Sequence, residues 1–437
     1  MDTLDMSEPT AIQKKGIPVC LNHSSVALAA ETGSGKTLSY LLPSVELLKR
    51  TEALKGRALP QRPRVVILTP SRELALQVLQ DAKALNKVAG PDSHFRCIAL
   101  VGGRAKQQQI RPLRESGVDM IVGTPGRIAH HREAGDLFLS HLDVLVLDEA
   151  DTLLVGGFAG ELKSILEPIS ARERRVARSG SKESDPCRVI LAGASYAQEI
   201  HDAVHKYFDR DFEWVHTKQL HSLPKTARHV ESVVVDRGSK HDRLIEEVRE
   251  RNDRTSVLVF CNSIASCRST EHALRESGVQ SLGLHGGIPP RLRDVNYRRF
   301  VSEDVSVLVC TDLAARGLHL PQVGCVINFD APRDSYEFLH RGGRTARAGR
   351  SGEIVSIVHG RERQRLSILR DAAERGDFLC LKATHEAITE RRRRVDGRSN
   401  VPRRRTAERD AKEEGNAQSR IRGLPKELQR RIMKTRR

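Results

Sequence analysis

Several things are scarce in this sequence, and each scarcity excludes something. It contains no run of about 18 apolar residues, and its mean hydropathy is -0.44, so no segment reads as a membrane span. Its eight cysteines are Cys20, Cys97, Cys187, Cys261, Cys267, Cys310, Cys325 and Cys380; none forms a Cys-x-x-Cys pair or metal-like spacing with His, which argues against a zinc site. Some lie inside apolar runs such as VLVFC and VLVC and read as buried free thiols of an intracellular, reducing compartment. One Trp, five Tyr and ten Phe are spread without clustering. That argues against an aromatic platform for stacking nucleic-acid bases. The opening MDTLDMSEPT is acidic and polar, with no signal or transit pattern.

Positive charge, by contrast, is plentiful. Lys and Arg number 73 against 56 Asp and Glu, for a net +17 and a pI near 9.8. This balance points to a polyanionic partner, nucleic acid or an anionic membrane surface, with a basic tail kept for solubility as the plain alternative. The charge is unevenly placed: residues 384–437 hold 18 Lys/Arg and 8 Asp/Glu, including RRRR (391–394) and RRR (403–405). Such a segment is expected to be disordered or to fold on binding.

Before the tail, short apolar runs recur: VALAA (26–30), VVILT (65–69), CIALV (97–101), MIVG (120–123), VLVLD (144–148) and RVILA (188–192). Helical spacing separates several of them, as with Leu74, Val78, Ala82 and Leu85. The pattern restarts with VESVVV (230–235) and continues through SVLVFC, SLGLH, VSVLVC, GCVIN and EIVSIV. The alternation predicts an α/β protein of two tandem domains, 1–215 and 230–383, each a mostly parallel sheet with helices on both faces. Residues 216–229 read as the linker, and 171–187 as a polar loop.

Chemistry concentrates in two places. AETGSGKT (30–37) follows a strand and opens a helical stretch. Ala30, Glu31, Thr32, Gly33, Ser34 and Gly35 would wrap phosphate with backbone N–H groups, Lys36 would reach the β/γ-phosphates, and Thr37 would hold Mg2+. VLVLDEAD (144–151) ends a strand in carboxylates. Acidic residues at a strand end are often only solvated; beside a phosphate loop, Asp148 reads as the second Mg2+ ligand and Glu149 as the group that polarises the attacking water.

EPTAIQ, AETGSGKT, PSRELALQ, VGG, TPGR, DEAD, VLVFCNS, LHGG, CTDLAARGLHL and HRGGRTARAGR follow one another over residues 8–350. This ordered series resembles the motifs of DEAD-box RNA helicases. The resemblance implies two RecA-like domains that close on ATP and grip RNA, single-stranded or a short duplex. It places Gln13 and Thr10 at the adenine and Asp312 at the nucleotide. Arg344 and Arg347 become arginine fingers, catalytic together with Lys36, Asp148 and Glu149. Pro70, Arg72, Gly102, Gly103, Thr124, Arg127, Thr311 and Gly317 fall on the RNA backbone, though the glycines could equally be turn residues. Gly193, Ala194 and Ser195 stand where the family has its Ser-Ala-Thr coupling motif, and His340 joins them.

The series also departs from the family: Gly193 replaces the Ser, Pro290 the Gln after LHG, and His319 the Asp ending its motif, while too little chain precedes Pro9 to supply the aromatic that stacks on adenine. The expected activity is an RNA-stimulated ATPase that separates short duplexes without translocating, acting as a monomer away from membranes. Similarity to helicases of organellar and ribosomal RNA maturation makes rRNA the expected substrate, in nucleolus, mitochondrion or plastid. Those departures favour the alternative, an ATP-gated RNA clamp or ribosome-assembly scaffold that unwinds weakly.

Overall fold

The fold is built on strands with no polar face. In VVIL, MIVG and VLVLD every residue is buried, as befits parallel sheets covered on both sides. The computed structural model describes residues 8–31, 33–88, 94–115, 117–155, 157–179, 186–194, 198–217, 226–234, 239–315, 323–346 and 350–375. Thr32, Ser195, Gly317, His319 and Arg347, residues 180–185 of the expected loop, and the basic tail lie outside them.

The first lobe runs α1 (Ala11–Asn22), β1 (Ser25–Ala29), α2 (Lys36–Lys55), β2 (Val65–Leu68), α3 (Arg72–Val88), β3 (Cys97–Leu100), α4 (Lys106–Glu115) and β4 (Met120–Gly123). It continues with α5 (Pro125–Glu133), β5 (Val144–Asp148), α6 (Ala150–Val155), α7 (Ala159–Ser179), β6 (Arg188–Gly193), α8 (Gln198–Tyr207) and β7 (Glu213–His216). Its sheet order is β3-β4-β2-β5-β6-β1-β7, with every neighbouring pair parallel. Alternate residues of each strand feed two cores. Val26, Leu28, Val144 and Val146 meet Tyr40 and Leu41 of α2 and Leu74 and Val78 of α3 on one face. Ala27, Ala29, Leu145 and Leu147 meet Ile128 of α5, Leu162 and Ile165 of α7 and Ile200 of α8 on the other.

The second lobe runs β8 (Ala227–Val234), α9 (Lys240–Arg251), β9 (Ser256–Cys261), α10 (Ile264–Glu276), β10 (Leu282–Leu284), α11 (Pro290–Val301) and β11 (Val307–Thr311). Then come α12 (Asp312–Ala315), β12 (Val323–Asn328), α13 (Ser335–Gly342), β13 (Gly352–His359) and α14 (Gly360–Arg375). This sheet is also parallel throughout, in the order β10-β11-β9-β12-β13-β8. Two α/β lobes with helices on both faces are thus present, as expected.

Two local expectations need correction. The stretch 171–187 is not a loop from its start: α7 continues to Ser179, because Ala, Arg and Glu are strong helix formers and Arg172 Nη1 donates to Leu142 O at 2.9 Å. The linker is shorter at both ends than 216–229. EWVH forms β7 on the edge beside β1, ending at His216, and β8 starts at Ala227 because Arg228 and His229 pair with Glu353 and Ile354 of β13 despite their polarity. Seven described cysteines are free thiols, and all but Cys97 are buried.

His229 sits among β8, β13 and α14, with Nε2 3.1 Å from Ser356 Oγ and Nδ1 3.5 Å from Arg370 Nη1. Burial, then the charge of Arg370, pushes its pKa down to about 4, with Glu231 pulling the other way. The folded value lies below the ordinary 6.5, so the unfolded chain takes the proton first; this stabilisation is full above pH 6.5 and is lost as pH falls towards 4. The urea midpoint should therefore drop between pH 6.5 and 4 in the wild type and drop less in His229→Gln, by about one proton's worth of slope. Equal drops in the two proteins would show that His229 is not held neutral.

Candidate active site

Strands β5, β6 and β1 end side by side, with Asp148 in register with Ala192 and Ala29 with Gly193. Neighbouring strands are about 4.8 Å apart. One short arc of sheet edge therefore carries the Gly-rich loop, the carboxylates after β5, and Gly193. Gly33 and Gly35 take φ of 85° and 90°, which a side chain would resist. Gly35 is also pressed by its neighbour: a Cβ there would stand 2.5 Å from Gln13 Nε2. Gln13, 3% exposed, donates from Nε2 to Gly35 O at 3.2 Å and accepts from Thr10 N–H at 2.9 Å. The second bond is half of a capping box on α1, so this Gln is fixed against the loop. Lys36 Nζ donates to the carbonyls of Ala30 and Glu31. Burial presses its pKa down, while Asp148, Asp151, Glu149 and Glu31 pull it back up.

Across the arc, Asp148 accepts from Tyr40 Oη at 2.8 Å on Oδ2 and from Glu149 N–H at 3.0 Å on Oδ1. Burial first, then the charge of Glu149, pushes its pKa up to about 7. Glu149 adopts φ 51°, a left-handed turn that joins β5 to α6 in one residue. Ser34 Oγ and Glu149 Oε2 are buried without a hydrogen-bond partner. Orphaned polar atoms beside a helix N-terminus, a lysine, the Thr37 hydroxyl and a carboxylate make a donor set that fits a polyphosphate with a divalent cation.

The second lobe reaches this arc through α13. His340 Nε2 lies 3.2 Å from Asp151 Oδ2, which also accepts from Ala194 N–H at 3.4 Å. Ala194 and His340, both expected in coupling, therefore meet on one carboxylate, with Gly193 closing β6 beside them. Arg344, 3% exposed, sits two residues past α13. Asp312, expected at the nucleotide, instead has both carboxylate oxygens held by Arg341, from Nε and Nη2 at 2.7 Å each.

The expected RNA residues gather over the other half of the same edge. Pro70 and Arg72 follow β2, Gly102 and Gly103 follow β3, and Thr124 and Arg127 follow β4, three adjacent strands. In the second lobe Thr311 ends β11. Arg72 departs from the expectation of a phosphate-facing side chain. It is 8% exposed and donates to Gly102 O at 3.1 Å and to Asp294 of α11 at 2.7 Å. Next to it Arg293 Nη1 lies 3.0 Å from Glu73 Oε1. Gly103, at φ 74°, has Arg72 Nη1 and Pro290 Cγ each 2.5 Å from where its Cβ would be. The family's Gln position thus holds a proline packed on the opposite lobe.

Three residues escaped the sequence reading. Arg341, fully buried, also donates to Asn262 Oδ1 at 2.6 Å and Asp330 O at 2.7 Å and lies over the Phe260 ring. Burial works against its charge, but Asp312 and Glu337 raise its pKa. Its only signal was a third arginine in HRGGRTAR. Asp294 gave none, because its partner is 222 residues away. Tyr40 was visible only as an aromatic one turn past Thr37.

Residues 10–203 match the family model described as DEAD/DEAH box helicase, and 239–349 match the helicase conserved C-terminal domain. The chain is 37% identical to DEAD-box ATP-dependent RNA helicase 39 of Arabidopsis thaliana, over 87% of this chain and 60% of that one. It is 31% identical to ATP-dependent RNA helicase RhlB of Vibrio atlanticus, over 80% and 75% respectively. The fold is shared with S. cerevisiae Dbp5 bound to RNA and ADP BeF3, at TM-score 0.69, 23% identity and coverage of 85% of this chain and 89% of that one. It is shared likewise with the helicase Mss116 bound to ssRNA and UDP-BeF, at TM-score 0.70, 23% identity and coverage of 87% and 75%. The chain spans about three fifths of the length of the curated relatives it matches. Motifs, fold and relatives agree, and the chain belongs to the DEAD-box helicase family.

Proposed function

We propose that this chain is an RNA-stimulated ATPase that uses closure of its two lobes to separate short RNA duplexes. The observation that carries this reading is the meeting of His340 with Asp151 at 3.2 Å. It brings the helix that leads to Arg344 onto the carboxylate cluster beside the phosphate loop. The names of relatives, ATP-dependent RNA helicases from a plant and a bacterium, point the same way.

In this reading the 30–37 loop receives the phosphates and Lys36 exchanges the carbonyls of Ala30 and Glu31 for them. Gln13, already locked to the loop, contacts the base. When bound, Mg2+ would be held by Thr37 and Asp148 and would neutralise phosphate charge. Glu149, with an unpartnered buried carboxylate oxygen, orients the attacking water. Arg344 and Arg347 come from the second lobe to meet charge that develops on the γ-phosphate, so hydrolysis requires closure. RNA lies over the ends of β2, β3 and β4, bound through its backbone and without sequence preference. There Arg72 is shared between Asp294 and a phosphate. The basic tail adds salt-sensitive affinity for RNA, with rRNA as the substrate class.

RNA should stimulate ATP hydrolysis by the full chain. Glu149→Gln should lower that hydrolysis by about 10²-fold or more while keeping ATP-dependent RNA binding. Basal hydrolysis unchanged by saturating RNA would sink the reading. The replacements Gly193, Pro290 and His319 favour a second one, an ATP-gated clamp with little unwinding. Duplex displacement measured beside ATPase separates the two, since hydrolysis without displacement is the clamp's signature. Gly193→Ser should raise displacement per ATP hydrolysed and leave ATP affinity nearly unchanged; an equal ratio in both proteins would remove Gly193 from coupling.

A further inference from the structure

The core of the first lobe contains a hydroxyl that packing does not require. Tyr40 is fully buried against Ile12, Leu28 and Val146, and a phenylalanine would fill the same space. Burying a phenol is costly unless it is hydrogen-bonded, and this one donates to Asp148 Oδ2 at 2.8 Å. The Thr37 side chain is within reach of the same phenol oxygen. Tyr40 therefore stands between the two residues read above as holding the cation, one turn along α2 from Thr37 and across the lobe's core from β5. Asp148 Oδ1 is taken by the N–H of Glu149 at 3.0 Å. Both carboxylate oxygens are thus oriented by the chain itself.

We propose that Tyr40 is a positioning residue of the cation site: its hydroxyl fixes the orientation of the Asp148 carboxylate, so that the ligand is preset before nucleotide and metal arrive. Without that donor only the Glu149 N–H still holds the carboxylate, through Oδ1, and part of the binding energy of the cation goes into ordering it. Partners that orient metal ligands in this way typically alter metal affinity by about 10–100-fold when removed. The inference rests on the nucleotide reading of the site, and the test keeps the two apart.

Full-length wild type and Tyr40→Phe are titrated with Mg2+ while binding of a fluorescent ADP is followed, with a parallel titration in EDTA and direct Mn2+ binding by electron paramagnetic resonance. The Mg2+ concentration for half-maximal tightening should rise about tenfold in Tyr40→Phe, and Mn2+ affinity should fall to match. ADP affinity in EDTA should stay unchanged, and ATPase should recover at high Mg2+. An unchanged Mg2+ requirement overturns the inference. Equal weakening with and without Mg2+ also overturns it, since that marks a packing role. A wild type whose ADP binding ignores Mg2+ overturns the inference alone, whereas a wild type that binds no ADP overturns the nucleotide reading and the inference with it.

Discussion

Parallel strand pairing is the constraint from which the rest of this molecule follows. In a sheet whose neighbours all run the same way, every strand C-terminus lies on one edge, and the loops that leave those ends are neighbours however far apart they lie in the chain. Strand order then divides the edge. In the first lobe β5, β6 and β1 carry Asp148, Gly193 and the Gly-rich loop, while β2, β4 and β3 carry Arg72, Thr124 and Gly103. In the second lobe Asn262, Asp330 and Asp312 stand just past the ends of β9, β12 and β11, and Arg341 ties the three together. A buried arginine with so many acceptors offsets its desolvation only because each is placed by a strand terminus.

The lobes touch at both halves of this edge. His340 meets Asp151 in the half that carries the Gly-rich loop; the crossed pairs Arg72 with Asp294 and Glu73 with Arg293 lie in the half expected to face RNA. In each crossed pair one member is buried and the other partly exposed, so these pairs lie between surface salt bridges, worth about 0–1 kcal/mol, and fully buried ones. These contacts therefore act as more than surface decoration. On the proposed reading, both ligands act on one closure equilibrium, and each must tighten the other by the same factor.

Much of this was legible before the structure, because each signal was local. Strand runs buried on both faces, the helical spacing of Leu74, Val78, Ala82 and Leu85, and the order of the motifs depend on residues near one another in the chain. What was not legible depends on partners. Arg172 and its neighbours looked like loop because they are polar, yet arginine and alanine propagate a helix once it has docked. Arg72 is phosphate-facing by motif, but its acceptor sits on α11 of the other lobe. EWVH was not legible as a strand because polar residues flank its two apolar ones, and it exists because β1 offers it an open edge.

Glu149 shows how the fold concentrates its cost where chemistry is expected. Asp148 is the last residue of β5 and Ala150 the first of α6, so a single residue must reverse the chain. A left-handed φ is the way to do so, and for a residue with a side chain it costs about 1–2 kcal/mol. The same turn leaves the Glu149 carboxylate buried with Oε2 unpartnered, as is the hydroxyl of Ser34 in the Gly-rich loop. Buried polar atoms without a partner also occur elsewhere among the described residues, as at His131 and Ser281, but these two stand in the arc that the sheet order has assembled. A ligand that hydrogen-bonds Ser34 Oγ and Glu149 Oε2 would supply the partners these buried atoms lack and offset part of that cost.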